Sequence, residues 1–369
     1  MSKKLKVVQI NRKKSSPGSL EILFSTVRKF IPNYIDVKVF VPRYESRGIF
    51  KRLAIIIESF FNQGDVNHIV GDIHFSNFLL KKGKTILTVL DGVSVINSRG
   101  IKRILIKFFW YTLPVKKSQY ITVISEKTKN ELLGLVDFPE ERIVVIPCCI
   151  SVKFKYVEQK NFNSKKPTIL HIGTNANKNL IRTSQALKGI PCILDVVGDL
   201  SIEQLQALKE NGIEYKHSVD ISENEMIQKY INADIVSFVS TYEGFGMPIL
   251  EAQTVGRVVL TSNISPMIEV SGNGACLVNP FNISDIKRGF KKLISDDSYR
   301  NEIIRKGLVN SQKYKPEKIA NEYVKLYLNI SKLNQEGCLT RVLKIFLRAT
   351  SKSSKASRKQ LERWGLLER

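Results

Sequence analysis

Cysteine is scarce in this chain: five residues in 369, an odd number, with no CxxC pair. That excludes a disulfide frame and a zinc ribbon, and reads as reduced thiols of a cytosolic protein. No apolar run approaches the 18 or so residues that a membrane-spanning helix needs. The opening MSKKLKVVQI has too short an apolar run, and no cleavage pattern, for a signal peptide. Short patterns typical of helix-turn-helix, RNP or zinc-finger proteins are missing, so nucleic acid is not the expected partner. No DxD or comparable acidic cluster offers a divalent metal site. Acid is in short supply altogether. Against 58 Lys and Arg there are 34 Asp and Glu, leaving a net charge of +24. Such a surface seeks polyanions, whether nucleic acid, anionic lipid or phosphorylated substrates.

What the chain does have is short β-branched runs separated by helical stretches. Six lie in the first half (5–10, 37–41, 66–70, 85–90, 120–124, 143–146) and six in the second (168–172, 192–197, 213–216, 234–239, 258–262, 275–278). Near-continuous apolar strands alternating with helices predict parallel sheets covered on both faces. Two doubly wound α/β domains follow, meeting near residue 155. The segment SVKFKYVEQKNFNSKKP (151–167), polar and closing on a proline, is the natural joint. The domains expected are 1–155 and 156–312, followed by a segment 313–330 and a basic tail 331–369.

The most informative stretch is TYEGFGMPILEAQ (241–253), directly after the apolar strand DIVSFVS. It therefore lies at the carboxyl end of a strand, where a doubly wound domain binds ligands. Pro248 suits the first turn of a helix. Glycines let backbone amides approach a ligand, and a helix N-terminus favours anions. Glu251, about one turn in, is placed to accept hydrogen bonds from a sugar diol, and Glu243 sits on the cleft side. Two glutamates eight residues apart, or a GxG in a loop, recur by chance. The full run E-G-F-G-M-P-x-x-E after an apolar strand is far more specific.

Residues 168–290 resemble the carboxyl-terminal domain of family 4 retaining glycosyltransferases of GT-B fold, whose paired-glutamate signature is matched by Glu243 and Glu251. HIGTNANKNL (171–180) is similar to that family's strand-loop-helix bearing a phosphate lysine, here Lys178. TSNISPMIEVSGNGACLVNP (261–280), TVLDG with Asp91, YITVISEKTKNEL (120–132) and RIVVIPCCI (142–150) resemble further landmarks, so the likeness covers roughly 85–330. Its nearest flavour is the bacterial surface-polysaccharide branch, mannosyltransferases included.

The resemblance implies two Rossmann-like domains facing across a cleft, an acceptor domain first and a donor domain second, with a C-terminal helix returning to the first. It implies donor ribose hydroxyls on Glu251 and donor sugar on Glu243. The amides of Gly244, Phe245, Gly246 and Met247 would lie near hydroxyls and phosphates, with Gly173 and Thr174 beside them. Lys178 would neutralise the diphosphate leaving group. In the first domain Gly18, in SSPGSLE, would be the close-approach glycine, though no GxGxxG surrounds it. Asp91 would face the acceptor or the donor sugar; a plain strand-end turn is the alternative there. His74, in GDIHFSN, either lines the cleft or is structural, and the base could be read around His217 to Val219. Two positions depart from the pattern: Thr174 stands where many members carry arginine, and Leu90 where many carry histidine. The implied chemistry is transfer from a UDP- or GDP-linked sugar to a glycan or polyprenyl-diphosphate-linked acceptor, without metal or other cofactor. A non-catalytic GT-B binding protein, a nucleic-acid-binding protein and a GT-B epimerase are the alternatives.

The charge has a location. Segment 99–117 carries six Lys or Arg and no acid among Ile, Leu, Phe, Trp and Tyr. The tail from Ser331 to Arg369 carries ten basic residues against three acidic, with Leu339, Val342, Leu343 and Phe346 at helical spacing and a basic stretch at 351–360. Basic amphipathic segments lie on anionic membranes, so the expected address is cytoplasmic, peripheral on the inner face of the plasma membrane. The alternative for 99–117 is an ordinary core helix with solvated charges.

Overall fold

The structure, a computed structural model, describes residues 4–13, 19–91, 99–159 and 161–334. Gly18, Cys338 and the amphipathic run and basic stretch of the tail lie outside them.

Twelve strands form two six-stranded sheets, every pairing parallel. The first holds β1 (Leu5–Ile10), β2 (Ile35–Phe40), β3 (Val66–Ile69), β4 (Thr85–Val89), β5 (Tyr120–Val123) and β6 (Ile143–Val145). The second holds β7 (Thr168–Ile172), β8 (Ile193–Val197), β9 (Glu214–Ser218), β10 (Ile235–Phe238), β11 (Val258–Ser262) and β12 (Cys276–Val278). The central strands β4, β10 and β11 are buried at every position. Helices on both faces cover them, which is why their sequences are near-continuously apolar.

The expected pair of doubly wound sheets is therefore present, with small shifts at the margins. β2 begins at Ile35 and β9 runs on to Ser218. β9 is an edge strand with mostly exposed side chains, so burial does not mark its ends. The strand orders differ. The first sheet runs β2-β1-β3-β4-β5-β6 and reverses between β1 and β3; the second runs β12-β11-β10-β7-β8-β9 and reverses between β7 and β10. Loops leaving adjacent strands at such a reversal diverge to opposite faces and leave a crevice.

The last described helix, 316–334, packs against the first sheet. Gln9 Nε2 donates to the Tyr327 hydroxyl at 3.1 Å, and that hydroxyl lies 2.8 Å from His68 Nδ1. His68 Nε2 reaches Thr88 Oγ1 at 2.7 Å. Burial pushes the His68 pKa down to about 3, so the ring is neutral, one nitrogen donating and the other accepting. Asn329 donates to the Tyr120 hydroxyl at 3.1 Å and Asn334 to the Gly83 carbonyl at 2.9 Å, extending the attachment to the helix end. One apolar core joins Phe24 of the first domain to Phe154, Phe245, Ile249 and Tyr323.

Candidate functional site

The loops leaving β7 and β10 are tied to each other. The Thr241 amide donates to the Asn177 carbonyl at 2.8 Å, and Asn177 Nδ2 donates to the Tyr242 carbonyl at 2.9 Å. Across this junction Lys178 Nζ pairs with Glu243 Oε1 at 2.7 Å, both side chains mostly shielded. Gly173 makes that possible: its φ is +85°, and a Cβ there would stand 3.0 Å from the Lys178 side-chain carbons. The ammonium also lies 4.6 Å from the centre of the Phe238 ring. Beyond Glu243 the chain passes Gly246 in a left-handed conformation and enters the helix Met247–Val255, with Pro248 in its first turn. Glu251 follows one turn later and accepts a hydrogen bond from the Tyr230 hydroxyl at 2.5 Å.

The first domain closes on this loop. Ser125 caps the helix Glu126–Leu135, accepting from the Thr128 amide at 3.1 Å, and its hydroxyl donates across to the Gly244 carbonyl at 2.8 Å. Thr128 Oγ1 donates to the Leu90 carbonyl, and the Tyr111 hydroxyl to the Asp91 carbonyl, at 3.1 and 3.0 Å. Gly244 passes so close that a Cβ would lie 3.1 Å from the Leu90 oxygen. A second bridge is made by Tyr242, whose hydroxyl lies 3.1 Å from both Glu131 carboxylate oxygens, with Lys127 Nζ 3.5 Å from its ring centre. Between the domains remains a cleft of about 550 Å³, lined by Asp91, Lys178, Glu243, Gly244 to Met247 and Glu251.

Burial lifts the Glu251 carboxyl to about 7, opposed by the Tyr230 hydrogen bond, which favours the charged form. Burial, then the Glu131 charge, holds the Tyr242 phenol protonated far above neutrality. His171, on β7, is pushed down to about 4 by burial first and the Lys178 charge second, so it is neutral. Among the described residues the cleft therefore carries one ammonium, carboxylates on either side of it, and the amides of a helix N-terminus. An anion can be held by the ammonium and amides, and hydroxyls by the carboxylates. Among the described residues no group of three His, Cys, Asp or Glu side chains is arranged to hold a metal ion.

Asp91, Lys178, Glu243, Gly244, Phe245, Gly246, Met247 and Glu251 thus share one cavity. Gly173 sits under Lys178, one layer back. Thr174 does not line the cavity; its carbonyl accepts from Gln204 Nε2 at 2.6 Å and its side chain covers Gly198. His74 is structural: it is buried, with Nδ1 2.7 Å from the Trp110 carbonyl oxygen. His217 is exposed at the end of β9. Sequence reasoning missed Tyr230, Ser125 and the Lys127–Glu131–Tyr242 cluster. Only Tyr242 left a signal, as the aromatic immediately before Glu243.

Residues 152–308 match the family described as Glycosyl transferases group 1. O-antigen chain mannosyltransferase B of Escherichia coli is 25% identical over 230 residues, 57% of this chain and 60% of that protein. Serotype-specific mannosyltransferase WbdA of the same organism is 23% identical over 222 residues, 54% of this chain and 27% of that one. The chain thus spans only part of the length of these relatives. Among solved structures, Anabaena Alr3699/HepE in complex with UDP and glucose superposes with a TM-score of 0.70 at 15% identity, over 88% of this chain and all of that one. WaaG, a glycosyltransferase involved in lipopolysaccharide biosynthesis, gives 0.66 at 13% identity, over 88% and 99%. The family match thus covers the second domain, and the two facing parallel sheets share the GT-B fold of these solved structures.

Proposed function

We propose that this chain is a retaining, metal-independent glycosyltransferase working in surface-polysaccharide synthesis (O-antigen, capsule or exopolysaccharide). It moves a sugar from a UDP- or GDP-linked donor to a glycan or polyprenyl-diphosphate-linked acceptor. The observation that carries this is the convergence of Lys178, Glu243, Glu251 and a helix N-terminus at the strand-order reversal of the second sheet, facing Asp91. In this reading Glu251 accepts from the donor ribose hydroxyls. Lys178 and the amides of Phe245 to Met247 hold the diphosphate, and charge develops there as the anomeric C–O bond breaks. Glu243 meets the donor sugar, and Asp91 the acceptor or the sugar from across the cleft. The acceptor oxygen bonds to the anomeric carbon on the face the diphosphate leaves, and its proton goes to the departing diphosphate. The relatives named as mannosyltransferases make mannose the first sugar to try, and the neighbour holding UDP makes UDP the first nucleotide. The protein would act in the cytoplasm, peripherally on the inner face of the plasma membrane.

Thermal unfolding with UDP, GDP and ADP, in the presence of EDTA, tests this on the wild type and on Glu251→Ala. A nucleotide at about a hundred times its dissociation constant adds roughly 2.7 kcal/mol. A shift with one nucleotide, lost in the variant, is expected. No shift with any of them refutes the donor site, and binding without sugar transfer would leave a non-catalytic binding protein.

A further inference from the structure

We infer that the first domain docks on an anionic lipid bilayer through a plate made by two adjacent helices, Ile49–Phe61 and the helical segment 100–116. This deepens the peripheral placement proposed above and rests on it, while being independent of the donor chemistry.

The helix Ile49–Phe61 buries Ile55, Ile56 and Ser59 against the domain. Ile49, Phe50, Leu53, Ile57, Phe60 and Phe61 are all exposed, Phe50 at 87% and Phe61 at 77%. At about 100° per residue these six fall within roughly one third of the helix circumference, beside the buried face. They form a second apolar stripe that the protein itself does not cover. On the neighbouring segment Ile101, Ile104, Leu105 and Phe108 are exposed at i, i+3, i+4, i+7 spacing, with Phe109 next to them. The two elements touch: the Arg52 guanidinium lies 4.5 Å from the Trp110 ring centre, and a groove of about 730 Å³ runs between them. Single exposed apolar side chains are ordinary, but a contiguous set marks an interaction surface.

Charge decides the partner. Segment 99–117 has six Lys or Arg and no acid, and Lys51 adds to the rim. The acids nearby are already engaged: Glu58 pairs with Arg43 and Glu45 with Arg47, leaving Asp72 in the groove. Aromatic and aliphatic side chains rimmed by long cationic ones suit the headgroup–acyl boundary of an anionic bilayer. Among the described residues no helix is long and apolar enough to cross it. The plate also adjoins the cleft. The segment 100–116 passes through a π-helical turn at Lys107–Thr112, a distortion frequent at functional sites, where buried Tyr111 donates to the Asp91 carbonyl. One face of this element meets lipid while the other supports the cleft wall to which a lipid-linked acceptor must come.

The test is co-sedimentation of the full chain with vesicles of phosphatidylcholine alone or mixed with phosphatidylglycerol, at low and high salt. The proteins compared are the wild type and the double variant Phe50→Ser, Ile104→Ser. Both substituted residues are exposed, and both proteins keep the basic tail, so any difference reports the plate. The wild type is expected to bind the anionic vesicles and to release in high salt. The variant should partition at least tenfold less, about 1.4 kcal/mol, with unchanged melting temperature and nucleotide response. Equal partitioning of the two proteins, or no binding of the wild type to anionic vesicles, overturns the inference. So does a wild-type dimer in analytical ultracentrifugation that the variant dissolves, because the plate would then be a self-interface.

Discussion

Replacing Glu251 by Gln is expected to stabilise the empty protein at alkaline pH while abolishing its response to nucleotide. The wild-type carboxyl, ordinarily at 4.5, is lifted by burial to about 7. Its folded value lies above its unfolded value, so the folded state binds the extra proton between the two. The contribution to stability is complete below 4.5 and is lost progressively as pH rises to about 7. At about 1.4 kcal/mol per pH unit the loss is roughly 3 kcal/mol, and nearer 2 after discounting for the part of the side chain open to cleft water. Gln fills the same volume, takes no charge, and still offers a carbonyl oxygen to the Tyr230 hydroxyl. Urea unfolding at pH 4 and pH 8 measures the difference. The two proteins should match at pH 4, and the variant should be more stable by about 2–3 kcal/mol at pH 8 with an unchanged m-value. An equal gap at both pH values, or a variant weaker at pH 8, would refute the claim that Glu251 is a carboxylate strained by burial. The same strain should appear in binding. If the ribose needs the charged carboxylate, wild-type nucleotide affinity falls by up to about tenfold per pH unit below 7, and the variant shows no such dependence. Stability given up at a site of this kind is the ordinary mark of a group kept for binding.

Lys178→Ala removes the only cation that lines the cleft among the described residues; turnover is expected to fall on the order of 10²–10³-fold in a nucleotide-release assay, with the fold intact by circular dichroism. Gly244→Ala puts a methyl group 3.1 Å from the Leu90 carbonyl. The two domains must then part slightly, so small-angle scattering should show a larger radius of gyration and the acceptor KM should rise. Tyr327→Phe removes a hydroxyl from between Gln9 and His68 in a buried network, and denaturant unfolding should register a loss of about 1–3 kcal/mol.

The second domain was legible because its chemistry is local in sequence. β10, Glu243, Gly246, Pro248 and Glu251 follow one another within a single strand-loop-helix unit, and each residue type there has a separate backbone reason for its place. Tyr230 was not legible. It reaches Glu251 from the end of another helix, Glu223–Asn232, and only the packing of that helix on Met247–Val255 brings the hydroxyl to the carboxylate. Ser125 was not legible either: it caps the helix Glu126–Leu135, but its second bond, to Gly244, depends on how the domains meet. The helix Ile49–Phe61 fails for a different reason. IFKRLAIIIESFF is apolar on more than one face, and periodicity says that a face is apolar without saying what covers it. Segment 99–117 could be flagged because its lysines and arginines exposed it; 49–61 carries too few charges for that.

Under the proposed function, the pairing of Lys178 with Glu243 lets loops far apart in sequence serve one ligand. At the reversal between β7 and β10 one loop supplies the ammonium and the other the carboxylate, and in the empty protein each satisfies the other in a poorly solvated place. Leaving either charge there alone would be costly. A diphosphate entering over the helix N-terminus competes for the ammonium on favourable terms, since it brings more negative charge and meets amides already pointing at it. With the ammonium turned to the phosphates, Glu243 would be released with acceptor capacity to fill, and the sugar hydroxyls of the proposed donor would be the groups to fill it. Under the proposed function, phosphate recognition and sugar recognition would be two halves of one exchange, which would favour the intact nucleotide sugar over either fragment. The bridge from Tyr242 to Glu131 lies one residue away from that exchange. Any shift of Glu243 is therefore felt directly at a contact that joins the two domains.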